Sequence, residues 1–121
     1  MKILVVDAVT ASRVLTGRLL NLAGYDDTIL LDDTSQVITT LNEQTVDFII
    51  INNDIANPTA AELIELIRKN PSSAETSLLI GLSETHLNQV TELLKLGASG
   101  YIIQPYSHQA LLEKIQSIIN D

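Results

Sequence analysis

The sequence contains no cysteine and no tryptophan, and only one phenylalanine and three tyrosines among 121 residues. The absence of cysteine excludes disulfide bridges, thiolate metal sites and a cysteine nucleophile. It fits a reducing compartment, because disulfides are rare in cytosolic proteins. The scarcity of aromatic residues disfavours a flavin site, for which we would expect aromatic side chains in the loops.

Positive charge is also scarce. The chain has 7 Lys and Arg against 15 Asp and Glu, which gives a net charge of −8. Because nucleic acids and anionic lipids are bound through Lys and Arg beside their phosphates, the composition argues against nucleic-acid and membrane binding by this chain. The negative charge is explained by solubility of a small domain, or by a partner with a basic surface.

Long hydrophobic runs are missing as well. The N-terminal apolar run covers residues 3–6, which is too short for a signal peptide or a membrane-spanning helix. We therefore expect a cytoplasmic location. The length and the 45% apolar content predict one domain over residues 1–121, and the sequence leaves open whether the chain is a fragment of a longer protein.

Apolar runs alternate with amphipathic stretches along the whole chain. The runs predict strands at residues 3–6, 28–31, 48–51, 78–82 and 101–103, and the stretches predict helices at 11–23, 35–44, 60–69, 85–96 and 109–119. In the first helix, Val14, Leu15, Leu19 and Leu22 are the apolar residues at helical spacing. Five β-α units predict an α/β fold: a flavodoxin-like (βα)5 doubly wound parallel sheet with strand order 2-1-3-4-5.

Ligands of such sheets bind beyond the carboxyl ends of the strands, so the residues after each strand are candidate site residues. These residues are Asp7, Ala8, Asn52, Ser83, Gln104 and Pro105. Neighbouring strands lie about 4.8 Å apart, which allows the side chains to meet in one pocket. The alternative is that polar residues stand there because the chain turns into solvent.

Four segments of the chain carry a family resemblance. They are Ile-Leu-Val-Val-Asp at 3–7, Gly-Tyr at 24–25, Asp-Phe-Ile-Ile-Ile-Asn at 47–52 and Leu-Gly-Ala-Ser-Gly-Tyr-Ile-Ile-Gln-Pro-Tyr at 96–106. In this order and spacing they resemble the receiver domain of two-component signalling, as in chemotaxis response regulators. The resemblance implies an aspartate that accepts a phosphoryl group, an acidic pair that binds Mg²⁺, a lysine and a Ser/Thr hydroxyl.

Three of those functional positions are changed. Ala8 replaces the second carboxylate of the acidic pair, Asn52 occupies the phosphoacceptor position and Gln104 occupies the lysine position. An amide is too poor a nucleophile to form an acyl phosphate, and Mg²⁺ is usually held by one or two carboxylates. We therefore predict a degenerate pseudo-receiver with no catalytic residue, no metal site and no cofactor, although Mg²⁺ is expected for the family.

Asp7, Ser83 and Pro105 keep the family residue types, and the resemblance implies a cis peptide bond before Pro105. The amides of Asn52 and Gln104 are predicted to hydrogen-bond Asp7 and Ser83 in place of an ion.

An alternative site involves Asp54, which lies where the family's backbone carbonyl contacts the metal. With Asp7 it could hold a metal weakly or accept phosphate. The simpler interpretation is that Asp54 caps the loop or faces water.

The fourth helix, fifth strand and fifth helix form the surface that receivers use for dimers and partners. The residues predicted on this interaction face are Leu87, Val90, Leu94, Tyr101, Tyr106 and Leu111. Tyr101 stands where the family has an aromatic residue that rotates with phosphorylation, and packing between helix and strand is the alternative role. His86 and His108 are predicted to be surface or capping residues.

Three functions follow from these observations. The favoured one is a phosphorylation-independent module that binds a protein partner, an attached output domain or a second copy. The second is a phosphoryl-accepting response regulator that uses Asp54 or Asp7. The third, a small flavodoxin-like enzyme or nucleotide binder, is disfavoured because no glycine-rich loop follows the first strand. We do not expect an enzyme.

Overall fold

The five strands form one parallel sheet in the order β2-β1-β3-β4-β5. They are β1 (Ile3–Val6), β2 (Thr28–Leu31), β3 (Phe48–Asn52), β4 (Ser77–Ser83) and β5 (Gly100–Gln104). The computed structural model describes residues 1–52, 55 and 58–120. The predicted flavodoxin-like topology is confirmed.

Helices cover both faces of this sheet. They are α1 (Thr10–Leu22), α2 (Val37–Glu43), α3 (Ala60–Lys69), α4 (Val90–Leu96) and α5 (His108–Ile119). Successive residues of β1 point to opposite faces, so Leu4 belongs to an apolar cluster with α2, α3 and α4, whereas Val5 belongs to a cluster with α1 and α5. Because both faces are covered, β1 and β3 consist of fully buried residues, as the continuous apolar runs predicted.

The predicted fourth helix differs from the observed one. A 3₁₀ helix, Glu84–Gln89, comes first and α4 follows it. The three-residue spacing of Leu87 and Val90 fits the three residues per turn of a 3₁₀ helix. This difference brings His86 into the first 3₁₀ turn after β4.

The buried face of α1 is not the one that the spacing predicted. Leu15 and Leu22 are 49% and 70% exposed, and Val14 is exposed too, whereas Thr16 and Leu20 are buried. Apolar residues occupy two overlapping stripes of this helix, and the helix buries the stripe that contains Leu20. The burial of Thr16 then places a hydroxyl group close to the carboxyl ends of the strands.

Arg68 ties the end of α3 to two neighbouring segments. Its guanidinium donates from Nε and Nη2 to the carbonyl of Gly97, at 3.0 and 2.8 Å, and from Nη1 to the carbonyls of Ser73 and Thr76, at 3.1 and 2.6 Å. Burial lowers the pKa of Arg68, and the nearby charge of Glu75 acts in the opposite direction. The planar donor fork thus holds the start of β4 and the turn before β5 together.

None of the helices in the described ranges is long and apolar enough to span a bilayer.

Candidate functional site

The ends of β1, β3, β4 and β5 meet at one edge of the sheet. Asp7 follows β1, Asn52 ends β3, and Asn52 is in register with Gly81 of β4. Ser83 is in register with Gln104 of β5. The predicted candidate residues therefore lie around one sheet edge, as the parallel topology requires.

Asp7 is fully buried, and both of its carboxylate oxygens accept hydrogen bonds. Oδ1 accepts from the backbone N–H of Val9 at 2.9 Å. Oδ2 accepts from Nδ2 of Asn52 at 2.7 Å and from the hydroxyl of Ser12. The predicted bond between the amide of Asn52 and Asp7 is present.

Asp7 also organises the start of α1. Val9, the N-cap residue, forms no side-chain cap, and the carboxylate of Asp7 takes up its N–H group instead. A negative charge close to a helix N-terminus is stabilising because the first N–H groups lack helical partners. Arg13 donates from Nη1 to the Asp7 carbonyl at 3.0 Å. Asp7 thus has a structural role without any bound ion.

The other end of the Asn52 amide completes a closed network. Its Oδ1 accepts from the Tyr106 hydroxyl at 3.1 Å, and that hydroxyl also pairs with Thr16 Oγ1 at 3.0 Å. Nδ2 of Asn52 lies 3.4 Å from the same Thr16 oxygen. No buried side-chain nitrogen or oxygen in the described part of the chain lacks a partner, so the polar pocket is satisfied by protein groups.

The close approach of Asn52 to β4 requires a glycine. A Cβ atom at Gly81 would stand 2.3 Å from Oδ1 of Asn52 and 3.4 Å from Cε2 of Tyr106. The missing side chain at Gly81 therefore makes room for the amide and for the tyrosine ring.

Tyr106 was predicted on the interaction face, and this prediction is wrong. Its ring packs against the apolar cluster under α1 and α5, and its hydroxyl points at Asn52. Burial raises the pKa of the Tyr106 phenol, the hydrogen bonds to Thr16 and Asn52 oppose the rise, and the charge of Asp7 adds to it. The net direction is upward, so the neutral hydroxyl is favoured.

Ser83 was predicted to hydrogen-bond the amides of Asn52 and Gln104, and the structure shows other partners for its hydroxyl. Its hydroxyl pairs with Thr85 Oγ1 at 2.8 Å and with Nδ1 of His86 at 2.9 Å, because the following 3₁₀ helix brings both within reach. The side chain of Gln104 forms no hydrogen bond to another described residue. The peptide bond between Gln104 and Pro105 is cis, as expected.

His108 begins α5 after the capping residue Ser107, and both histidines are exposed. Their prediction as surface or capping residues is consistent with these positions.

A sequence profile described as the response regulator receiver domain matches residues 3–116. This chain belongs to that family. The receiver is 28% identical to the chemotaxis protein CheY of Pseudomonas aeruginosa over 118 residues, which cover 98% of this chain and 95% of that protein. It is 27% identical to CheY-3 of Vibrio cholerae, with 98% and 91% covered.

Solved structures show the same fold. The chemotaxis protein CheY4 of Vibrio cholerae superposes with a TM-score of 0.88 at 24% identity, and 97% of each chain is covered. The receiver domain of a Pseudomonas aeruginosa sensor histidine kinase, which has a magnesium ion coordinated in its active site cleft, gives a TM-score of 0.88 at 18% identity over 99% and 98% of the two chains.

The described residues at this sheet edge offer few ligands for a magnesium ion. Ala8 supplies no oxygen ligand from its side chain, and the oxygens of Asp7 already accept three hydrogen bonds. Within residues 1–52, 55 and 58–120, no group of three acidic or histidine side chains is placed to hold a metal. Asp54, the predicted alternative, lies outside the described residues. We derive no metal-dependent step.

The residues predicted on the interaction face differ in their exposure. Leu87, Leu94 and Tyr101 are exposed, and Nζ of Lys114 lies 5.5 Å from the centroid of the Tyr101 ring. Val90 is half-buried against the core.

Leu111 is fully buried, so its prediction as a surface residue is wrong. It lies one turn before the buried Ile115 on the inner side of α5, where both pack against the sheet.

Sequence reasoning missed Ser12 and Thr16, which supply hydroxyl groups to the network. Both lie on α1 at four-residue spacing with Leu20, so the three share one face of the helix. The sequence signal for this role was the pair of hydroxyl residues on the helix face that contains Leu20, in the helix that directly follows β1.

Proposed function

We propose that this receiver domain works in two-component signalling without being phosphorylated, through phosphorylation-independent contacts with other proteins. The supporting observation is the Asp7–Asn52–Tyr106 network. At the position where the family has its phosphoacceptor, an amide nitrogen donates to Asp7 and the amide oxygen accepts from Tyr106. The amide is a weak nucleophile and both of its ends are engaged.

The charge of the pocket supports the same proposal. The family's pocket concentrates carboxylates that Mg²⁺ and a lysine neutralise. Here Asp7 is the one carboxylate among the described pocket residues, and neutral donors from Val9, Ser12 and Asn52 surround it. Because a buried charge needs a partner, loss of the carboxylates makes a cation at position 104 unnecessary. Gln104 agrees with that expectation.

Without a covalent trigger, any switching must come from a binding partner that has different affinities for two states. We propose a protein partner, an attached output domain or a second copy of the chain, bound at the exposed part of the interaction face. Leu87, Leu94 and Tyr101 supply its apolar surface. Nucleic-acid binding, membrane binding and enzymatic activity are not part of the proposal, and a cytoplasmic location stays a prediction.

The phosphorylation part is tested by incubating the chain with acetyl phosphate and Mg²⁺ and measuring the intact mass. We expect no mass gain. The matched control is the triple variant Ala8→Asp, Asn52→Asp, Gln104→Lys, which should gain one phosphoryl group. If the triple variant folds and takes up no phosphate, the assignment of the pocket positions is wrong.

A mass gain by the unchanged chain would support the second candidate, phosphoryl acceptance by Asp54 or Asp7. Peptide mapping would then locate the modified residue, and Asp54→Asn would remove the gain if Asp54 were the acceptor. Modification of Asp54 or of Asp7 would contradict the proposed function.

The interaction face is tested separately by Leu94→Asp, with Leu66→Asp on α3 as the control, because both leucines are exposed. If the face forms a homodimer, sedimentation should show dissociation only in the first variant. With an identified protein partner, only the first variant should weaken binding. Equal effects of the two variants would contradict the placement of the interface.

A further inference from the structure

A cleft lies beside the polar network, between α1 and the turn that leads from β5 to α5. Its volume is about 320 Å³. The lining residues are Ser12, Leu15, Thr16, Leu19, Ser83, Gln104, Pro105 and Tyr106. The cleft shares Ser12, Thr16 and Tyr106 with the polar network around Asn52, and α1 forms one of its sides. This volume falls at the lower end of the range typical for small-molecule sites.

We propose that this cleft binds a small, uncharged, amphipathic molecule that carries one apolar ring and one amide-like or hydroxyl group. Leu15, Leu19 and Pro105 form an apolar wall against which a ring can pack. A mainly apolar cleft with a few polar groups is the usual composition of a small-molecule site.

The polar residues that line the cleft provide hydrogen-bond partners for the amide or hydroxyl group of the ligand. The Gln104 amide has a free donor and a free acceptor among the described residues, and it lines the cleft. Ser83 lies beside it in the parallel register. A ligand amide or hydroxyl can bond to Gln104 without breaking any hydrogen bond of the network.

The charges exclude ionic ligands. No residue that lines the cleft is ionised. An anion would meet no cationic side chain in the lining of the cleft, where Gln104 occupies the lysine position of the family. Among the described residues of the pocket, the one carboxylate is that of Asp7, which is buried and accepts from three donors. Moving an ion from water into this cleft is therefore unfavourable, whereas a neutral molecule loses little hydration.

The cleft goes beyond the proposed function, because it provides a non-covalent input for a receiver that lacks the phosphoryl trigger. It shares Tyr106 with the Asn52 network, so a ligand on the tyrosine ring lies beside Gln104 at the end of β5 and against the segment that leads to α5. The role of the cleft as an input rests on the proposed absence of phosphorylation, whereas ligand binding in it rests on the shape and charge of the lining.

The experiment is an amide NMR titration of the full chain with three probes of matched size, namely benzamide, benzoate and benzylammonium. Benzamide should give saturable shifts at Leu19, Ser83 and Gln104, with weak affinity because the probe is small. The two ions should bind at least about tenfold more weakly. Absence of a saturable shift, or benzoate or benzylammonium binding as well as benzamide, overturns the proposal.

Two variants locate the site. Leu15→Trp fills the mouth of the cleft from a half-exposed position, and Leu22→Trp places the same bulk on the same helix beside the neighbouring groove. Benzamide affinity should fall at least about tenfold in the first variant and stay unchanged in the second. Unchanged binding in Leu15→Trp, or an equal loss in both variants, places the site elsewhere and contradicts the inference.

Discussion

The Tyr106 hydroxyl is the group whose removal tests the polar network most directly. Tyr106→Phe keeps the aromatic ring, so it leaves no cavity in the apolar cluster. It removes the donor to Oδ1 of Asn52 and the partner of Thr16 Oγ1. Thr16 keeps its contact with Nδ2 of Asn52 at 3.4 Å, whereas Oδ1 of Asn52 keeps no donor among the described residues. The variant therefore leaves a buried acceptor unsatisfied.

The magnitude follows from the burial of Asn52, which is 0% exposed. A buried acceptor that loses its donor costs about 1–3 kcal/mol, and we expect a loss of about 2 kcal/mol in the free energy of unfolding. With an unfolding entropy of about 2.1 cal/mol/K per residue, this loss lowers the Tm by about 8 °C for a chain of this length.

The assay is urea unfolding at neutral pH, with the denaturant slope checked for equality between variants. Tyr101→Phe is the matched control, because its ring is exposed and its hydroxyl has no hydrogen-bond partner in the described structure. The control should change the free energy of unfolding by less than about 0.5 kcal/mol. Equal losses in the two variants would refute the reasoning, since burial of the bond would then make no difference.

Three further predictions concern ionisable side chains. Asn52→Asp places a second carboxylate beside Asp7, and repulsion between the two charges favours the protonated form of the introduced carboxyl group in the folded state. Stability should therefore be retained below the unfolded-state pKa of about 4 and should fall as pH rises, with a loss of about 3 kcal/mol at neutral pH in urea unfolding. Because the pKa of Tyr106 is raised, its stabilising contribution is complete below about pH 10 and is lost as pH rises through the folded-state pKa. In a pH titration followed by tyrosinate absorbance, the wild-type chain should show a step at higher pH that Tyr106→Phe lacks. Arg68→Lys should lower the free energy of unfolding by about 2 kcal/mol, because an ammonium group cannot donate to the same set of carbonyls. The control Lys69→Arg changes an exposed residue and should leave the free energy of unfolding unchanged.

Much of the fold could be predicted because the apolar runs are unambiguous. The bounds of β1, β2 and α3 agree with those predicted from the sequence. In α3 the start is fixed by a capping box between Thr59 and Glu62, and Pro71 follows the end. The parallel topology then placed Asp7 and Asn52 at one sheet edge, and amide chemistry predicted the bond between them.

The sequence did not predict how α1 is rotated about its axis or which way the Tyr106 side chain points, because no local pattern determines either. α1 has apolar residues on two overlapping stripes, so spacing alone did not show that Thr16 faces the pocket. Tyr106 lies just after a strand, where a side chain can point either to the surface or to the strand end. Its direction follows from the space left by Gly81 and from the acceptor on Asn52, both contributed by other strands.

The retention of Asp7 has a physical explanation that does not require a metal. Three donors converge on this carboxylate: the Val9 N–H, the Ser12 hydroxyl and the Asn52 amide. Replacement of Asp7 by an apolar residue would remove the acceptor of the Val9 N–H and would leave Ser12 and Asn52 only their longer contacts with the Val9 carbonyl, at 3.3 Å, and with Thr16 Oγ1, at 3.4 Å. Each donor that becomes buried and unsatisfied costs about 1–3 kcal/mol. Ala8 is exposed and bonds to none of these groups through its side chain, so nothing opposes loss of a carboxylate there. Of the two positions that match the family's acidic pair, Asp7 is therefore the one whose side-chain hydrogen bonds stabilise this fold.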